Sequence, residues 1–210
     1  YRDSSYMAAV LRAACAESDI PGLISLFNER GDEVKYTIIE VMAGLQYDGS
    51  VGFLIGLLGN KNYELVDRSL VALQRAALSG ALAAYLGRHR EREDALVRRL
   101  EYLIKVKADS AGYILASIGS ERCLDALINE LSRRMEAKPA PDTGLLAAIM
   151  ATGDRARTRL AASNPKLVDD IDSRIMERLL SPSVSTALDD EIDRAAPGFF
   201  AWLAFMAGRP

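Results

Sequence analysis

His89 is the only histidine in the chain. No pair of histidines can therefore share a metal ion or divide acid and base work between them. A lone imidazole acting as a base needs a partner to orient it, and its neighbours in "RHRERE" (88–93) are solvated charges. The two cysteines, Cys15 and Cys123, lie far apart in apolar surroundings. They are expected to be reduced, buried packing residues, because free cysteine is mostly buried and inert. The chain contains no P-loop, no glycine-rich dinucleotide turn, no paired-cysteine metal spacing and no nucleophile elbow. Catalytic, cofactor-binding and metal-ligating residues are therefore all expected to be absent, and no cofactor is implied. The chain is expected not to be an enzyme.

Charge offers other chemistry. Segment 88–107 holds seven basic residues (Arg88, Arg90, Arg92, Arg98, Arg99, Lys105, Lys107) against four acids. Such a run could meet nucleic acid or an acidic partner. Its acids interleave, however, Asp94 and Arg98 stand at i,i+4, and no array of stacking aromatics accompanies it, so the expectation is a solvated, salt-bridged helix. Segment 169–193 leans the other way, with eight acids against Arg174 and Arg178. The net charge of −3 argues against nucleic acid as the partner.

The elements that carry these residues read as helices. Half of the 210 residues are hydrophobic and only 7% aromatic, and period-two alternation is rare, so helix is favoured over strand. Ile20, Leu23, Ile24 and Phe27 fall at i, i+3, i+4, i+7 and form one apolar face. The same face recurs 31 residues on at Val51, Leu54, Ile55 and Leu58, and after another 31 at Leu82, Tyr85, Leu86 and His89. Glu93, Leu96, Val97 and Leu100 repeat it with one polar member, as do Leu124, Leu127, Ile128 and Leu131 with none. A break and a second apolar helix follow each instance. After "RGDE" come Val34, Ile38, Val41, Met42 and Leu45. After "GNKN" come Val66, Leu70 and Leu73. After "KADS" come Ala111, Ile114, Leu115 and Ile118.

The unit is thus helix, turn, helix, about 31 residues long, within the range of solenoid repeats. Neither helix can bury its stripe alone, so stacking is required. Segment 79–90 breaks the phase and is expected to be an inserted short helix or a helix extension, because the Glu93 unit gives the cleaner helix pair; the alternative makes it the first helix of a third repeat, with 108–118 as the extra helix. His89 is either a seam residue or a solvated helix end. The four glycines of "GSVGFLIGLLG" fall inside a helical pattern, which implies either close helix packing or a weakened helix. Beyond Ser132 the regularity fades. "EAKPAPD" is a longer joint, and Asn164–Pro165 starts a further helix carrying Leu167, Ile171, Ile175 and Leu179. The tail "FFAWLAFMAG" is apolar on all sides. Phe199, Trp202 and Phe205 in it are a candidate hydrophobic anchor, the alternatives being a packed terminal helix or the lead-in to a membrane segment.

"ILASIGSERCLDALINEL" (114–131) resembles the short bacterial HEAT-like repeat of the phycobilisome-lyase type, within the wider armadillo-like class. Leu115, Ile118, Gly119, Leu124, Leu127, Ile128 and Leu131 carry the likeness, and "IPGLISLFNERGDEVKYTIIEVMAGL" (20–45) is similar. The resemblance covers roughly 19–135 and records packing, not chemistry. It implies an all-α chain: a right-handed α-solenoid of HEAT-like helix–turn–helix repeats with irregular C-terminal capping helices. The repeat array is expected over 1–135, with units near 20–46, 51–78 and 93–118 and a restart at 122. Degenerate repeats or a cap are expected over 136–210, in the same continuous solenoid.

By family habit the expected function is a non-enzymatic protein–protein interaction scaffold or adaptor using one face. Polar residues interrupt the second-helix ridge at Tyr36, Glu40, Arg68, Arg75 and Tyr113. These are the candidate partner-binding residues, because aromatic and arginine side chains dominate interface energy. One alternative is a HEAT-like enzyme or nucleic-acid-binding module with a lyase- or glycosylase-like cleft. The net acidity and a single Trp, placed in the tail, depart from that pattern. A second alternative is a domain of a longer membrane-anchored protein, since the chain begins at Tyr1. No stretch reaches the ~20 apolar residues of a bilayer span, and a cytoplasmic setting is expected.

Overall fold

The computed structural model describes residues 2–137 and eight isolated positions between 145 and 165. Among the described residues every regular element is helical. The helices are α1 (Arg2–Ala14), α2 (Ile20–Glu29), α3 (Asp32–Gly44), α4 (Asp48–Leu57), α5 (Tyr63–Leu78), α6 (Ala81–Arg88), α7 (Glu93–Leu103), α8 (Ala108–Ile118) and α9 (Glu121–Ala137). Short 3₁₀ turns at Glu17–Asp19 and Arg90–Arg92 lead into α2 and α7. The chain divides between Arg99 and Leu100 into two compact units. Of the cap expected over 136–210, residues 136 and 137 belong to the end of α9; the rest falls, but for the isolated positions, outside the described residues, as do the acidic segment 169–193 and the anchor residues Phe199, Trp202 and Phe205.

Local chemistry sets the helix ends. Pro21 opens α2, where its missing N–H costs nothing. The Asn62 side chain accepts from the Glu64 N–H at 3.0 Å and caps α5. Helices α5 and α6 are bent by 88° at a turn where Gly80 has φ +80°. Gly119, at φ +68°, closes α8, its N–H reaching the Leu115 carbonyl. A side chain at either glycine would strain the left-handed backbone.

In the first unit the helices pack as two alternating sets. Helix α3 lies between α1 and α5, and α4 lies between α2 and α6, while α3 also meets α2 and α4, and α5 meets α4 and α6. The recurring face is the buried one. Ile20, Leu23 and Phe27, then Val51, Leu54 and Leu58, then Leu82, Tyr85 and Leu86 are buried, whereas Ile24 and Ile55 are half-buried. Ile38, Val41, Met42 and Leu45 of α3 and its end, with Val66, Leu70 and Leu73 of α5, form the other half of this core. Phe27 meets Phe53 edge-on at 5.0 Å between ring centroids, joining α2 to α4.

Two of the four glycines in 49–59 mark close packing. A Cβ on Gly49 would sit 3.1 Å from Ile20, and one on Gly52 would sit 3.1 Å from the Tyr85 hydroxyl. Gly56 faces open space. In the second unit α8 packs on α9. Ala111, Ile114 and Leu115 are buried there with Leu124, Leu127 and Leu131. Among the described residues no single helix is long and apolar enough to cross a bilayer.

Candidate partner-binding groove

Helices α3 and α5 expose parallel rows of side chains. Tyr36, Glu40 and Ala43 succeed one another at steps of four and three, as do Glu64, Arg68, Val71 and Arg75. Residues so spaced share a helix face. Because α3 packs directly on α5, the two rows wall a groove of about 270 Å³. Ile39, Ala43, Val71 and Ala72 give it apolar surface, while Tyr36, Glu40, Glu64, Asp67, Arg68 and Arg75 line it with polar groups. Four of the five residues expected to face a partner therefore line one groove. The fifth, Tyr113, lies in the second unit on α8, half-buried, and burial pushes its hydroxyl pKa up.

The groove has internal order at the amino-terminal end of the two helices. The Arg68 guanidinium lies over the Tyr36 ring, 4.0 Å from its centroid, and its Nε donates to Glu64 Oε1 at 2.8 Å. Cation–π contact and ion pair together hold a long side chain in one place. Partial burial and the carboxylates of Asp32 and Glu64 raise the Tyr36 hydroxyl pKa, against a lowering by Arg68.

The lone histidine is part of a different arrangement. His89 follows the last turn of α6, half-buried. Its Nε2 lies 3.2 Å from Asp48 Oδ2 and its Nδ1 3.7 Å from Glu91, and its ring sits 4.6 Å from that of Tyr85. Arg88 grips the same Asp48 with both Nε and Nη2. The Arg88 hydrogen bonds hold the Asp48 carboxyl below its ordinary value, opposed by burial and assisted by His89. Asp48 opens α4, so these contacts tie the end of α6 to the start of α4. Sequence spacing gave no hint of it, because Asp48 and His89 are 41 residues apart.

The remaining candidates take structural places. Cys123 is buried, Cys15 is half-buried, and both are free thiols. Ser120, just before α9, has its hydroxyl 3.1 Å from Cys123 Sγ. Within the basic segment, Arg88 is committed to Asp48, and Arg99 donates to the Leu58 carbonyl at 2.6 Å. The Arg98 Nε reaches the Asp94 backbone carbonyl at 3.2 Å. In the second unit Arg122 grips Glu101 through two bonds of 2.9 Å. Glu130, only 5% exposed, receives Arg133 and Arg134, and Arg134 also reaches the Ile104 carbonyl. Among the described residues no three His, Cys, Asp or Glu side chains gather as a metal site would require. No family model matches this chain, and neither a curated protein nor a solved structure matches it.

Proposed function

We propose that the chain is a non-enzymatic protein-binding module that receives its partner in the groove between α3 and α5. The observation that carries this reading is the gathering of Tyr36, Glu40, Arg68 and Arg75 around one groove with apolar surface. Aromatic and arginine side chains set among apolar contacts are the usual anchors of interfaces.

The proposed architecture behind the groove is an α-solenoid of HEAT-like pairs, right-handed as in the family it resembles. The alternation of packing in the first unit supports it: α1, α3 and α5 succeed one another on one side, α2, α4 and α6 on the other. Such a stack makes every second helix part of a continuous ridge. The contacts of α6 with α4 and α5 favour counting it as the first helix of a third pair, in place of the insertion expected from the sequence. By the same count α8 and α9 form a later pair, and the Gly119 turn becomes a joint within that pair.

The test is a charge reversal. Arg68→Glu with Arg75→Glu should leave the far-ultraviolet circular dichroism unchanged, since both residues lie on the helix surface. The same double substitution should remove the proteins that co-purify with the wild-type chain from native cells. Full retention of those proteins by the variant would overturn the reading.

A further inference from the structure

Glu64, Arg68, Val71, Arg75 and Leu78 form one stripe along α5, at successive steps of four, three, four and three. At its amino-terminal end the stripe is closed on itself, with Arg68 committed to Glu64 and Tyr36. The carboxyl-terminal end is different. Val71 is 42% and Leu78 53% exposed, although both are large apolar residues. Arg75 stands exposed between them, and its guanidinium has no hydrogen-bond or ion-pair partner among the described residues. Across the groove on α3, the half-buried Glu40 carboxylate likewise has none.

We infer that this end of the groove docks an amphipathic helix of another protein, with two apolar residues seven positions apart and an acidic residue between them. The inference rests on the protein-binding reading above and names the chemistry of the partner. Val71 and Leu78 are seven residues apart, which on an α-helix is about 10.5 Å. Residues i and i+7 of a second helix laid along α5 have the same separation, so both apolar contacts form in one register. The partner residue at i+3 or i+4 then lies over Arg75, where a carboxylate supplies the missing ion pair. A basic residue on the flank of that helix facing α3 would meet Glu40. The two unpaired charges thus fix the identity and the side of the partner's charges, while the apolar pair fixes its position.

The experiment is a selection. A displayed library of helix-forming peptides about 18 residues long, randomised on one face, is panned against the full chain and against its Arg75→Glu variant. The wild-type chain should enrich apolar residues at i and i+7 with Asp or Glu at i+3 or i+4. The variant should enrich Lys or Arg there instead, and peptides selected on the wild type should bind it about tenfold more weakly, measured by fluorescence anisotropy. Arg75→Ala, which carries no reversed charge, should weaken the same peptides without selecting basic ones. No enrichment, or one consensus on both chains, overturns the inference. If the Arg68→Glu, Arg75→Glu chain loses its cellular partners while the library yields no such consensus, this inference falls and the broader binding reading stands.

Discussion

Replacing Gly52 with alanine tests the contact between α4 and α6 through its sign. Gly52 lies within α4, where an alanine contributes about 1 kcal/mol of helix propensity relative to glycine. Against this, the new Cβ would sit 3.1 Å from the Tyr85 hydroxyl oxygen, with the ring carbons Cε2 and Cζ at an ordinary 3.6 Å. Tyr85 is 2% exposed, so the ring cannot swing into solvent and must shift by a few tenths of an ångström within a packed core. Overpacking of this kind costs about 1–3 kcal/mol. Gly52→Ala alone is therefore expected to destabilise the chain by about 1 kcal/mol. In a Tyr85→Phe background the close atom is gone, and the same substitution should stabilise by nearly the full propensity term. The coupling between the two sites is then about 2 kcal/mol. It is read from urea midpoints followed by circular dichroism, with the slope checked for constancy. Additivity within about 0.5 kcal/mol would refute the packing of Tyr85 on Gly52. With it would go a principal reason for placing α6 beside α4.

Two further substitutions test other joints. Gly119→Ala should cost about 1 kcal/mol, because φ +68° at the end of α8 is a conformation that disfavours any Cβ; the urea midpoint measures it. Glu130 reports through pH. Burial pushes its carboxyl pKa up, but the hydrogen bonds from Arg133 and Arg134 more than reverse this, so it lies below the ordinary 4.5. A depressed folded value means that its contribution is fully present above the unfolded value and fades as pH falls through the lowered one. Glu130→Gln should cost about 1–2 kcal/mol at pH 7. The difference from wild type should shrink below about pH 4.5 in a series of melts. A constant difference down to pH 3 would show that the ion pairs contribute nothing.

The helical faces were legible in the sequence because the solvent reads them at a fixed period. The positions i, i+3 and i+7 are buried in α2, α4 and α9, and the i+4 residues Ile24, Ile55 and Ile128 are half-buried at the edge of each stripe. The polar interruptions at Tyr36, Glu40, Arg68 and Arg75 were also legible, since an unpaired charge on such a row is costly to bury and a tyrosine hydroxyl needs a polar partner or solvent. Their gathering around one groove depends on α3 lying directly beside α5, which periodicity within either helix does not encode. Neither does it encode contacts made across long separations by single residues. Asp48 with His89 and Arg88, Arg99 with the Leu58 carbonyl, and Gly52 with Tyr85 all join segments more than 30 residues apart. The role of His89 was half-visible for the same reason. Its register pointed to a seam, its neighbours to solvent, and it occupies a half-buried place between two carboxylates. The place of 79–90 in the repeat phase was not legible, because its face fits the 31-residue step while the Glu93 unit makes an equally regular helix pair.

The most direct test of the binding groove is a photo-crosslinking residue placed at Val71, on its wall, and separately at Ser25, exposed on α2. Illumination in native cells should give a discrete crosslinked product from position 71 and none from position 25. The product should disappear when Arg68→Glu and Arg75→Glu are added. Equal crosslinking from both positions, or a product from 25 alone, would contradict the assignment of the groove between α3 and α5 as the partner surface.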